Sequence, residues 1–109
     1  MVSLLFLSMA MADDFRFVVV GDTQTNGNHT SINWDVMPVL IEDMNTHQPV
    51  VGLFVGDLVG GSNSVSGTIS QWQDFKSVSA GLNGEVRPIL GNHDVYGGSG
   101  TFEAFGNVF

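Results

Sequence analysis

Asp22, Asp57 and Asn92 each follow a glycine that ends a short apolar run, in Gly-Asp-Thr-Gln, Gly-Asp-Leu-Val and Gly-Asn-His-Asp. They recur every 35 residues. Oxygen donors gathered from such a repeat are what a hard or borderline divalent cation takes as ligands. Asp22 offers one or two carboxylate oxygens, Gln24 and Asn92 offer neutral amide oxygens, and Asp57 can give one oxygen to each of two ions and so bridge them. A two-metal site about 3.5–4 Å across orients an attacking water and stabilises both the entering and departing oxygens of a phosphoryl group. His93 would stand beside such a site. With Asp94 next to it to hold the ring charged or correctly oriented, His93 suits a general acid that protonates a departing alkoxide.

For these residues to meet, the apolar runs must be parallel strands and the intervals must be crossovers. A strand, a helix and the next parallel strand need about thirty residues or more, which fits the interval. Residues 15–20, 50–55 and 86–90 are β-branched or otherwise apolar runs, each followed by glycine. Residues 34–44 place Val36, Val39, Leu40 and Met44 on one helical face, with Pro38 acceptable only in the first turn and Asp35 available as a cap. Residues 68–80 place Ile69, Trp72, Phe75 and Val78 at helical spacing before Gly81, after a Gly/Ser/Asn loop over 60–67. The alternation predicts the α/β class, a parallel sheet covered on both faces, with Asp22, Asp57 and Asn92 at the carboxyl ends of its strands.

Composition narrows the function classes. The chain has 109 residues, 43% hydrophobic and 13% charged, which describes one core-forming domain rather than a disordered segment. Three Lys and Arg stand against 11 Asp and Glu, a net charge of −8 that disfavours a phosphate-backbone binder, so no stable nucleic-acid partner is expected, while a nuclease steered by bound metal stays open. Without cysteine, thiolate nucleophiles, thiolate zinc sites and disulfides are excluded. Residues 2–11 are almost wholly apolar and run into Ala10-Met11-Ala12 and then Asp13-Asp14. This pattern predicts a signal peptide over residues 1–12, cleaved after Ala12, and a secreted or periplasmic product. An integral membrane segment is not expected, because a span takes about twenty apolar residues.

The motifs Gly21-Asp22-Thr23-Gln24, Gly56-Asp57 and Gly91-Asn92-His93-Asp94, in this order, resemble the first three motifs of the calcineurin-like metallophosphoesterases. The resemblance spans roughly residues 15–109. It implies the N-terminal part of a four-layer α/β/β/α sandwich, mainly parallel strands with crossover helices, over residues 13–109. It also implies two divalent metal ions, drawn from Mn, Fe, Zn, Mg or Ca, and hydrolysis of a phosphomonoester or phosphodiester by metal-activated water. By motif, Asp22 would bind the first metal, Asp57 would bridge, Asn92 would bind the second and His93 would serve the leaving group. Gln24 stands where the family usually has histidine, an exchange that weakens zinc or iron relative to manganese, magnesium or calcium.

The family's later motifs, an isolated histidine and then Gly-His-x-His, are absent from the 109 residues. His29 and His47 precede the second motif and do not replace them by order. The chain is therefore expected to be part of a longer enzyme, inactive alone if the second metal lacks its imidazoles. The alternative is a noncatalytic metal- or ligand-binding remnant. A nucleotide-binding oxidoreductase is disfavoured, since no Gly-x-Gly-x-x-Gly follows the first strand. Trp34, Trp72 and Phe75 read as core, His47 as a helix C-terminal residue, and Asn28-His29-Thr30 as a glycosylation sequon. The stretch 101–109 carries Phe102, Phe105, Val108 and Phe109, apolar surface on which the chain is expected to be interrupted.

Overall fold

The structure is a computed structural model that describes residues 14–25 and 31–109. The expected signal peptide, His29 and the sequon lie outside the described residues. Strands β1 (Phe17–Val20), β2 (Val51–Val55) and β3 (Glu85–Ile89) alternate with helices α1 (Met37–Thr46) and α2 (Val65–Ser79). A single 3₁₀ turn at His93–Val95 and helix α3 (Gly100–Val108) follow. The sheet is parallel in the order β1-β2-β3. This is the α/β architecture expected of the N-terminal part of a metallophosphoesterase fold.

The register explains how the site is staggered. Phe17 pairs with Val51 and Val51 with Glu85, so the ladder repeats every 34 residues while the ligand positions repeat every 35. Each ligand position therefore steps one residue further from its strand than the last. Asp22 lies level with Gly56, and its N–H continues the ladder to the Gly56 carbonyl at 3.1 Å.

Successive strands joined by crossovers of one hand place both helices on the same face. Phe54 on that face meets Phe75 of α2 edge-on at 5.1 Å, and Ile41 and Met44 of α1 complete the core with Trp72 and Leu82. The expected covering of both faces is thus corrected. Phe17, Val19, Val55 and Ile89 alternate with the core-facing residues and are exposed, Phe17 by 56%.

Several local expectations shift. Helix α1 begins at Met37, not at residue 34, because Pro38 is tolerated only in the first turn. Val36 takes the cap position instead of Asp35 and makes no side-chain cap bond, while Asn33 Oδ1 accepts the Val36 N–H at 3.3 Å. The buried stripe is Met37, Ile41 and Met44, spaced i, i+4, i+7. Val36, Val39 and Trp34 are exposed, so Trp34 is not core. His47 does cap the C-terminus of α1.

Helix α2 starts three residues earlier than the pattern suggests because Ser64 caps it, its hydroxyl accepting from Gly67 N–H at 3.1 Å. Trp72 and Phe75 are buried as expected. The terminal apolar stretch folds as α3 and packs on α2, with Phe105 against Trp72 at 5.3 Å and Lys76 Nζ donating to the Val108 carbonyl at 2.6 Å.

Candidate metal centre

The carboxyl edge of the sheet carries every residue predicted to do chemistry. Asp22 and Asp57 both have left-handed backbones, φ 53° and 49°. Few non-glycine residues tolerate that conformation, and Asp is among those that do. The two turns touch: Gln24 N–H donates to the Asp57 carbonyl at 3.2 Å, and the Thr23 hydroxyl donates to the Leu58 carbonyl at 3.0 Å in a buried position.

The turn after β3 closes on the same point. Asp57 Oδ1 accepts the His93 N–H at 2.9 Å. Gly91 makes the approach possible, since a Cβ there would lie 2.2 Å from Asp57 Oδ1 and 2.3 Å from the Asp57 nitrogen. Asn92 opens the 3₁₀ turn and is exposed beside it.

Asp94 differs from expectation. It is fully buried, and its two oxygens accept the backbone N–H groups of Leu58, Val59 and Gly91. Burial pushes its carboxyl above the ordinary aspartate value, opposed by those three amides and reinforced by the negative Asp57. The ring of His93 meets the Gly60 carbonyl instead, with Nδ1 at 3.2 Å. A carbonyl can only accept, so Nδ1 carries a proton and Nε2 is left for external chemistry. Gly60 is anchored in turn, its N–H on the Ser31 carbonyl at 3.0 Å. The Tyr96 ring lies beside the imidazole, 5.7 Å between centroids.

Thr23 and Gly60 are contributors that reading by residue type missed. Thr23 lies inside the first motif, and a buried hydroxyl between two ligand positions is a signal that only pairing with Leu58 makes visible. Gly60 acts through a backbone carbonyl and leaves no side-chain signal at all.

Among the described residues, no three His, Asp or Glu side chains form a group that would hold a metal by themselves. The ligand candidates include only two carboxylates, Asp22 and Asp57, and the others are amides. Gln24 Oε1 is buried and has no donor among the described residues. An unpaired buried acceptor is costly and calls for a partner. A cleft of about 190 Å³ lies at this turn, lined by Asp22, Thr23, Gln24 and Asn33 together with apolar residues of α1. A larger hollow, about 430 Å³ under α3 and lined by Lys76, Arg87 and Phe105, contains none of the candidate residues.

Glycine-preceded oxygen donors at the carboxyl edge of a parallel sheet, with an imidazole fixed beside them, define an α/β protein whose strand edge gathers oxygen donors. A family model described as calcineurin-like phosphoesterase matches residues 15–109, and the chain belongs to that family. Comparison with curated protein sequences returns no match. Membership carries hydrolase chemistry of the metallophosphoesterase type in general, with divalent metals and small phosphate esters as the family's usual cofactors and substrates. No helix among the described residues is long and apolar enough to cross a membrane.

Proposed function

We propose that this chain hydrolyses a small phosphate ester, monoester or diester, as the amino-terminal part of a longer metallophosphoesterase. The observation that carries the reading is the bond from His93 N–H to Asp57 Oδ1, which joins the bridging carboxylate to the candidate acid in one turn-to-turn contact. The exposed apolar sheet face, Phe17, Val19, Val55 and Ile89, supports a further layer supplied by the rest of such an enzyme.

Asp22, Gln24, Asp57 and Asn92 would hold the metals, and the all-oxygen set favours manganese, magnesium or calcium. Bound divalent ions would supply a more acidic water and offset charge on the phosphoryl group. The chain's own residues do the remaining work. Asp57, accepting at Oδ1 from His93, keeps its second oxygen available. The Gly60 carbonyl holds His93 Nδ1–H and leaves Nε2 free to face the leaving oxygen, to which the doubly protonated imidazolium would deliver its Nε2 proton, becoming neutral. Asp94, turned onto the amides, is reassigned from proton chemistry to support.

The test is turnover of a chromogenic phosphate ester by the purified chain with manganese. Asp57→Ala should abolish turnover and lower manganese affinity while leaving the far-UV circular dichroism unchanged. Manganese binding by the wild type without turnover would replace the enzyme reading for this chain with that of a metal-binding remnant.

A further inference from the structure

We propose that Asp94 is a positioning residue: its buried carboxylate sets the spacing between the loop that carries Asp57 and the loop that carries Asn92 and His93. The consequence for metal binding rests on the phosphoesterase reading above, whereas the clamp itself does not. Leu58 and Val59 directly follow Asp57, and Gly91 directly precedes Asn92. Their three N–H groups converge on one side chain. Oδ1 accepts from Leu58 at 3.0 Å and Val59 at 3.1 Å, and Oδ2 accepts from Gly91 at 2.8 Å and Leu58 at 3.2 Å.

Chemistry makes aspartate the residue suited to this place. An ionised carboxylate is acceptor-only at both oxygens, and its bonds to amides are the strong, charge-assisted kind. The two oxygens are held rigidly by one carbon, so the loop after β2 and the loop after β3 are fixed to each other through a single planar group. Without that carboxylate the Leu58, Val59 and Gly91 amides lose the acceptor they share here. Residue 94 sits in the same short turn as His93, whose own N–H reaches back to Asp57, so the clamp is closed from both sides.

Asp94→Asn is the informative change, because it keeps the side-chain volume and one acceptor. Its NH₂ group must face a backbone N–H, either that of Gly91 or those of Leu58 and Val59, and one loop is released. Manganese affinity of the full chain, measured by titration calorimetry, is expected to fall about 10- to 100-fold, the range found when groups behind metal ligands are altered. Ser64→Ala, which removes the cap of α2 and whose hydroxyl bonds Ser66 and Gly67 rather than any ligand candidate, serves as the control for general destabilisation and should leave the affinity unchanged. Amide hydrogen exchange without metal supplies the second readout: Leu58, Val59 and Gly91 should be protected in the wild type, and protection should be lost on at least one side in Asp94→Asn. Rapid exchange of these amides in the wild type overturns the proposal even if the variant does not fold. An affinity loss no larger than that of Ser64→Ala also overturns it. A wild type that binds no manganese but shows the protected amides sinks the phosphoesterase reading and leaves the clamp standing.

Discussion

Asp22 and Asp57 each follow a glycine at the end of a parallel strand, and each has a left-handed backbone. Their support differs. The Asp57 turn is held from the β3 side by Asp94, by the His93 N–H and by the close approach of Gly91. The Asp22 turn leans on its neighbour: Asp22 N–H reaches Gly56, Gln24 N–H reaches Asp57, and the Thr23 hydroxyl reaches Leu58. All three bonds run from the first turn to the second. Among the described residues the Asp22 side chain has no hydrogen bond, and Gln24 Oε1 has none either. The first turn also has the Asn33 N–H on the Thr23 carbonyl at 3.3 Å and the Gln24–Ile32 bridge, so one dipeptide in one conformation yields a turn braced from β3 and a turn that leans on the second turn and on the segment before α1. The difference lies in what the third strand brings, not in the dipeptide.

The largest effect expected from this asymmetry is at the paired glycines. A Cβ on Gly91 would meet the backbone nitrogen of Asp57 at 2.3 Å, so backbone must move. A Cβ on Gly21 would lie 3.1 Å from the Val55 carbonyl and 3.2 Å from its methyl, which needs only a few tenths of an ångström. Gly91→Ala should therefore cost about 3 kcal/mol, at the upper end for overpacking, and Gly21→Ala under about 1 kcal/mol. Urea denaturation of the two variants measures both. Equal costs would break the comparison.

A smaller effect should separate the turns by direction. Thr23→Val keeps shape and deletes the hydroxyl that donates to Leu58, at a cost of about 1 kcal/mol. Because the first turn leans on the second, amide exchange at Leu58 and Val59 should stay slow in this variant. Faster exchange there would show that the brace runs both ways.

This dependence between turns also marks what was legible in the chain. The strand ends were readable because glycine followed by Asp or Asn recurs at one interval, and the ladder repeat of 34 was not, since register is set by packing between strands. Near-continuous apolar runs such as Phe17–Val20 look alike whether one face or two is buried, so the runs alone predict two covered faces, and only the resemblance to a four-layer sandwich implies the face left without its partner. The expected face of α1 is half right, Met44 buried and Leu40 packed on the core, and half wrong, because Val36 and Val39 fit a helical period as well as Met37 and Ile41 do. Helix α3 contains Gly100 and Gly106, poor helix formers, and is held by contacts of Phe105 and Phe109 with α2. The role of Asp94 was misread because its neighbour in sequence, His93, is not its partner in space. The backbone amides it serves lie across two loops.

Gln24 provides the finest test of the comparison, because it separates what the fold needs from what a cation needs. Its Oε1 is buried with no donor among the described residues, and such an acceptor costs about 1–3 kcal/mol relative to a satisfied one. Gln24→Leu puts a shorter apolar side chain in place of the orphan, while the residue 24 backbone bond to Asp57 remains. Without metal the variant should be more stable than the wild type by about 0.5–1 kcal/mol, part of the penalty being offset by imperfect packing of the branched side chain. With manganese present the order should reverse, since the wild type gains stability from a ligand that binds its folded state and the variant gains less. Thermal denaturation with and without manganese reads both differences in one experiment. A variant less stable than the wild type without metal would mean that Gln24 has a structural partner, and the leaning turn would then be braced after all.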